Sequence, residues 1–239
     1  MDSSEYIELD DARIFCRISG RNEAPPLVLL HGNGENLNVF ESQIKFFSTD
    51  YKVIALDTRG HGKSSRGKAP LDFHTFAADL RQLFDALKIN KAHLVGFSDG
   101  AIIALHFALK SPERISSMIL VGANYTPKGF RFTTRIYVKI FYLYLSMKSI
   151  FSSESQKRRE IWSLMVHHPH LSLDEISQIS APTLIITGEN DMVSQVQNND
   201  LHVNIANSKR LIIPKADHFF LFKTPEIFNR IAGEFFCKP

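Results

Sequence analysis

Short runs of apolar, β-prone residues recur along the whole chain, at 27–30, 53–56, 93–95, 118–121, 184–187 and 210–213. Most are too continuously apolar for a sheet with one face in water, so they read as parallel strands buried on both sides. Helical patterns separate several of them. One covers 73–87, another covers 101–110 and ends before Pro112, and a third covers 225–236 with Thr224 as candidate N-cap and Pro225 as first helical residue. This alternation defines an α/β fold, because a parallel strand pair needs a crossover and a helix supplies it. Two further runs, 6–9 and 13–18, flank Asp10 and Asp11 and predict a hairpin at the sheet edge.

The rhythm breaks between Val121 and Pro182, where helical and irregular signals carry no convincing strand. The expectation is one core domain built from 1–122 and 180–239, with 123–179 inserted as a helical cap. At 239 residues the chain can support one large core without disulfides or a structural metal. The cap segment is rich in aromatic residues (Phe130, Phe132, Tyr137, Phe141, Tyr142, Tyr144, Trp162) and in lysine and arginine. Its middle, 136–150, is interrupted by Lys139 and Lys148 and falls short of the roughly 20 residues that span a bilayer. It is expected to pack its aromatic side on the main domain with its lysines in solvent. Contact with a membrane or anionic lipid surface is the alternative.

Charge narrows the partner. Lysine and arginine number 28 against 25 acids, and the formal charge of +3 is too small and scattered for a nucleic-acid surface. A small-molecule substrate is favoured, without stable membrane insertion; monomer and homodimer remain open. Cys16 and Cys237 stand near opposite ends with no metal-ligand spacing, which fits a reducing compartment. The first residues, Met-Asp-Ser-Ser-Glu, lack the basic start and apolar run of a secretory signal, so a cytoplasmic location is expected.

Chemistry concentrates at predicted strand ends. Gly96-Phe97-Ser98-Asp99-Gly100 lies between an apolar strand and a helical run, the context that a strained nucleophile turn requires. A serine hydroxyl is a weak nucleophile, so it needs a base to take its proton and a third group to orient that base. His218, in Ala216-Asp217-His218-Phe219-Phe220, follows the last predicted strand, and Asp191, in Gly188-Glu189-Asn190-Asp191, follows the one before it. Glu189 and Asp217 are alternatives for the acid, although the side chain of Asp217 should point away from that of its neighbour His218. An oxyanion would be met by two backbone amides, that of Asp99 at a helix start and that of Asn33, with Gly34 next, in His31-Gly32-Asn33-Gly34.

Taken in order, HGNGEN, DTRGHGKS, GFSDGA, GEND and ADHFF resemble the α/β-hydrolase superfamily from end to end of the chain. The resemblance implies a mostly parallel sheet of about eight strands with helices on both faces, and a catalytic triad of Ser98, Asp191 and His218. It also implies a carboxylesterase-like activity on a small or medium ester, or a lipid-like one, through an acyl-enzyme. Carbon–carbon bond hydrolysis and perhydrolysis use the same residues, and a non-catalytic receptor can keep the same fold. The HGNGE stretch is similar to the HGxGE of monoacylglycerol lipases. GFSDG resembles the elbow of valacyclovir hydrolases, which implies a substrate-binding role for Asp99 toward an amino group and an aminoacyl ester as substrate, with Gly34 beside it. No metal or organic cofactor is implied.

Other motifs read as structural. Gly62-Lys63-Ser64 ends like a phosphate-binding loop, but Asp57 stands where the earlier glycine is required. The turn Arg59-Gly60-His61-Gly62 is expected to be held by Asp57. His167, His168 and His170 cluster around Pro169 without a completing ligand and predict a surface loop.

Overall fold

The computed structural model describes residues 2–237. A hairpin of β1 (Asp2–Glu8) and β2 (Arg13–Ser19) opens the chain, followed by β3 (Pro26–Leu30), α1 (Glu41–Phe47), β4 (Lys52–Leu56) and α2 (Phe73–Ala86). Then come β5 (Ala92–Phe97), α3 (Asp99–Lys110), β6 (Ile115–Val121), α4 (Phe132–Lys148), α5 (Ser153–His167) and α6 (Leu173–Ser177). The chain ends with β7 (Thr183–Gly188), α7 (Gln195–Asn204), β8 (Ser208–Ile213), α8 (Phe220–Lys223) and α9 (Pro225–Phe236).

The strands form one sheet in the order β1-β2-β4-β3-β5-β6-β7-β8. β1 and β2 are antiparallel to their neighbours, and every pairing from β4 to β8 is parallel. The continuous apolar runs have the cause inferred for them, because their side chains alternate between two cores. Val28, Ile54, Leu94, Leu120 and Ile185 face one layer with α2 and α3. Leu29, Val53, Val95, Ile119 and Ile186 face the other, with α1 and α9. Caps set the helix entries: Asp72 accepts from the Thr75 amide at the start of α2, and Ser172 and Glu175 form a reciprocal capping box at α6.

Three helices, α4 to α6, separate β6 from β7. α6 returns to the core, where Leu171, Ile176 and Ile179 are buried. α4 and α5 pack on each other over the sheet's C-terminal edge, and the Trp162 indole donates to the Val138 carbonyl at 3.0 Å. The expectation for 136–150 needs correction. Only Val138 and Leu145 of α4 are buried, while Phe132, Ile136, Ile140, Leu143 and Met147 are exposed. The helix is apolar around most of its circumference, and its narrow inner face is filled by residues that periodicity does not single out. The histidine loop is also only partly a surface loop, since His168 is half-buried with its ring 6.2 Å from Phe73.

Candidate active site

Ser98 occupies the junction between β5 and α3 with φ 52° and ψ −116°. A serine in this region is strained by an order of 1–3 kcal/mol, and surrounding structure must hold it there. The holding is visible on both sides. The Ser98 amide donates to Val121 at the end of β6 (2.8 Å). A Cβ on Gly96 would stand 2.4 Å from the Gly100 carbonyl oxygen, and one on Gly100 would stand 2.0 Å from that of Leu30. Only hydrogen in place of those side chains lets α3 start this close to β3 and β5.

Asp191 lies in the turn after β7 and His218 in the loop after β8, so both reach the edge where Ser98 stands. His218 Nδ1 lies 2.7 Å from Asp191 Oδ1, and both side chains are buried. Asp191 is itself fixed, because the Val193 amide donates to Oδ1 (2.8 Å) and the Thr187 hydroxyl to Oδ2 (3.3 Å). The two loops are joined by the Asn190 amide donating to Ala216. Gly122, at φ 62° after β6, leaves room for the imidazole; a Cβ there would stand 2.6 Å from His218 Cε1. The other acids in these loops are engaged elsewhere: Glu189 accepts from the Lys215 amide, and Asp217 from the Phe219 amide and the Lys223 ammonium.

Ser98 and His218 line a cavity of about 340 Å³ with Asn33, Glu35, Phe97 and Phe219 from the core. Thr134, Tyr137, Val138, Trp162 and Met165 close it from α4 and α5, and Met192 from the loop after β7. The lining is mainly apolar, with few polar groups to orient a ligand. Among these residues, Glu35 closes the HGNGE stretch, but nothing in the sequence assigned it a role. It accepts from the Gly32 amide at 3.0 Å, and burial raises its pKa.

Asn33 and Asp99 meet through their side chains: Asn33 Nδ2 donates to Asp99 Oδ2 (2.8 Å) and to the Ile161 carbonyl of α5 (2.9 Å). The Asp99 carboxyl is buried, which pushes its pKa up to about 6 against the opposing pull of the Asn33 amide and His218. Glu35 is the acidic residue that lines the cavity, whereas Asp99 does not line it. Gly34, at φ 70°, has open space where a side chain would stand.

His31 is a structural residue of the same loop. In the tautomer that satisfies both contacts, Nδ1 donates to the Gly32 carbonyl and Nε2 accepts from the Thr58 amide. Burial brings its pKa down to about 4, so the ring is neutral at pH 7. Asp57 holds the following turn by accepting from the Leu37 amide (2.8 Å) and the Lys63 amide (2.7 Å). Arg59 is locked by a fork onto Asp79, at 2.7 and 2.6 Å, and by Asp11 at 2.7 Å. Among the described residues, no group of three or more His, Cys, Asp or Glu side chains is placed to hold a metal ion. No helix there is long and apolar enough to cross a membrane.

An eight-stranded, mostly parallel sheet with a strained serine after a central strand and a buried histidine–aspartate pair on later strand ends defines a hydrolase architecture. Residues 25–151 match the family model described as alpha/beta hydrolase fold, and the chain belongs to that family and is a hydrolase. It is 26% identical over 268 residues to a putative 2-succinyl-6-hydroxy-2,4-cyclohexadiene-1-carboxylate synthase of Bacillus subtilis, covering 95% of each chain. It is also 26% identical to a 2-hydroxy-6-oxo-6-phenylhexa-2,4-dienoate hydrolase of Burkholderia cepacia, covering 95% of this chain and 92% of that one. Among solved structures, carboxylesterase CesB of Bacillus subtilis superposes with a TM-score of 0.82 at 20% identity, covering 99% of this chain and 92% of that one.

Proposed function

We propose that the chain is a serine hydrolase that cleaves a small or medium carboxylic ester through an acyl-enzyme on Ser98. The observation that carries this reading is the buried 2.7 Å contact between His218 and Asp191 beside a serine held at positive φ in an apolar cavity. Ser98 Oγ attacks the carbonyl carbon while His218 takes its proton; the carbonyl electrons move to oxygen, and the backbone amides of Asp99 and Asn33 receive the oxyanion. His218 then protonates the departing alcohol as the tetrahedral intermediate collapses. Water, deprotonated by the same imidazole, releases the acid in a second passage through the oxyanion. Asp191 keeps Nδ1 protonated and stabilises the imidazolium. Asp99 acts as a positioning residue, its carboxyl aligning the Asn33 loop. The helices within 123–179 serve as the cap that excludes water and selects the acyl and alcohol groups.

Carbon–carbon bond hydrolysis is the second reading, favoured by the similarity to the dienoate hydrolase over nearly the whole chain. A fluorophosphonate probe that labels the wild type but not Ser98→Ala is the expected result; failure to label a folded wild type overturns serine catalysis. Turnover of short p-nitrophenyl esters at rates well above those on a vinylogous dienone diketide supports the ester reading. The reverse order replaces it with the second.

A further inference from the structure

We propose that the outer face of α4 is a docking surface for an anionic phospholipid bilayer. Phe132, Ile136, Ile140, Leu143 and Met147 recur at helical spacing of four and three residues, so they form one stripe along the helix. At 3.6 residues per turn its centre lies about 180° from the buried Val138 and Leu145. It therefore faces away from the molecule. Exposure reaches 68% at Phe132 and 63% at Ile140, and the stripe continues past the helix end into Ile150 (75%) and Phe151 (89%). A contiguous apolar surface of this kind on a soluble molecule marks an interaction site.

Charge selects the occupant. From Asn124 to Ser153 the chain contains Lys128, Arg131, Arg135, Lys139 and Lys148 and not one aspartate or glutamate. Lys139 and Arg135 border one edge of the stripe, Lys148 lies beyond the other, and Lys157 and Arg158, with Glu154 before them, follow Phe151 on α5. None of these seven cations forms an ion pair among the described residues. Arg135, Lys148 and Arg158 lie over the rings of Phe132, Tyr144 and Phe141, so their charges stay uncompensated by any acid. An apolar stripe flanked by lysine and arginine without acidic partners is the pattern of a helix lying in a membrane interface, with apolar groups among the acyl chains and cationic groups at phosphate level. Each such cation strengthens attraction to an anionic surface about fivefold. A second copy meeting the same face would bring like charges together.

The test is sedimentation of the full chain with vesicles. Vesicles of equimolar phosphatidylcholine and phosphatidylglycerol are expected to retain the protein, and pure phosphatidylcholine vesicles to leave it in solution. Ile140→Glu and Phe151→Glu should each weaken retention about tenfold or more, since each removes apolar burial and adds a repelled charge. Lys139→Gln combined with Lys148→Gln should weaken it without touching the stripe. Thermal melts confirm that each variant is folded, and a second substitution replaces any that is not. No retention by the mixed vesicles, equal retention by both kinds, or retention unaffected by the substitutions overturns the proposal. So does a concentration-dependent dimer in sedimentation velocity that Ile140→Glu dissociates.

Discussion

Replacing Asp99 with asparagine should make the protein more stable in alkaline than in acidic solution, relative to wild type. The Asp99 carboxyl is buried directly after Ser98, and burial raises its pKa from 3.8 to about 6. A carboxyl with a raised pKa binds its proton more readily folded than unfolded. Ionised Asp99 therefore costs stability above about pH 6, and the cost fades as pH falls from about 6 to about 4. At about 1.4 kcal/mol per pKa unit, a shift of about two units corresponds to about 3 kcal/mol. Asp99→Asn is a neutral isostere whose carbonyl can still accept from Asn33 Nδ2, the contact now at 2.8 Å. Its added NH2 carries a fixed offset if unpartnered, but that offset is the same at every pH. The difference between variant and wild type should thus become more favourable by about 3 kcal/mol between about pH 4 and pH 8. In a domain of this size that is about 6–12 °C of relative melting shift. Denaturant melts of both proteins across this range measure it directly. A difference that does not change with pH would refute the assignment of a buried, destabilising charge to Asp99.

Four further outcomes follow from the same geometry. Asp191→Asn should lower kcat by about 10³–10⁴ with little change in KM, because the amide presents a donor to His218 Nδ1 and favours the wrong tautomer; equal losses in binding and turnover would count against an orienting role. Gly122→Ala should depress kcat more than the melting temperature, since its methyl group meets the imidazole at 2.6 Å before it meets the core; steady-state kinetics beside a thermal melt separate the two. Arg59→Ala leaves Asp79 buried without its fork, and urea melts should show a loss of about 3–5 kcal/mol. Asp99→Asn should slow aminoacyl and neutral esters of equal size alike, because Asp99 faces Asn33 rather than the cavity; a selective loss on aminoacyl esters would return the carboxyl to a substrate-binding role.

What could be read from the chain and what could not divide along a physical line. The strand runs were legible because a strand buried on both faces must be apolar at consecutive positions, and Leu27 to Leu30 meet that demand without help from distant residues. Ser98 was legible for a related reason: its strain is imposed locally, by a strand before it, a helix after it and glycines at 96 and 100 that neighbouring backbone requires. Met165 carries no such local imprint, and Glu35 stands in the HGNGE stretch without a local cause that fixes its role. They meet Ser98 in one cavity only because β3, β5 and α5 converge at the sheet's edge. The side-chain link between Asn33 and Asp99 spans 66 positions, so the sequence showed two candidate amides but not the hydrogen bond between the residues that carry them. In α4 the pattern itself was degenerate. When apolar residues occupy both sides of a helix, periodicity cannot say which side faces inward, and a two-residue anchor such as Val138 and Leu145 is outnumbered by the stripe opposite. Tertiary packing has to choose the inner face, and here it leaves the larger apolar face in water. That cost is difficult to explain as packing alone, which makes the surplus of lysine and arginine beside it informative. Apolar exposure and cationic rim are separate features of the sequence, and a single anionic interface accounts for both.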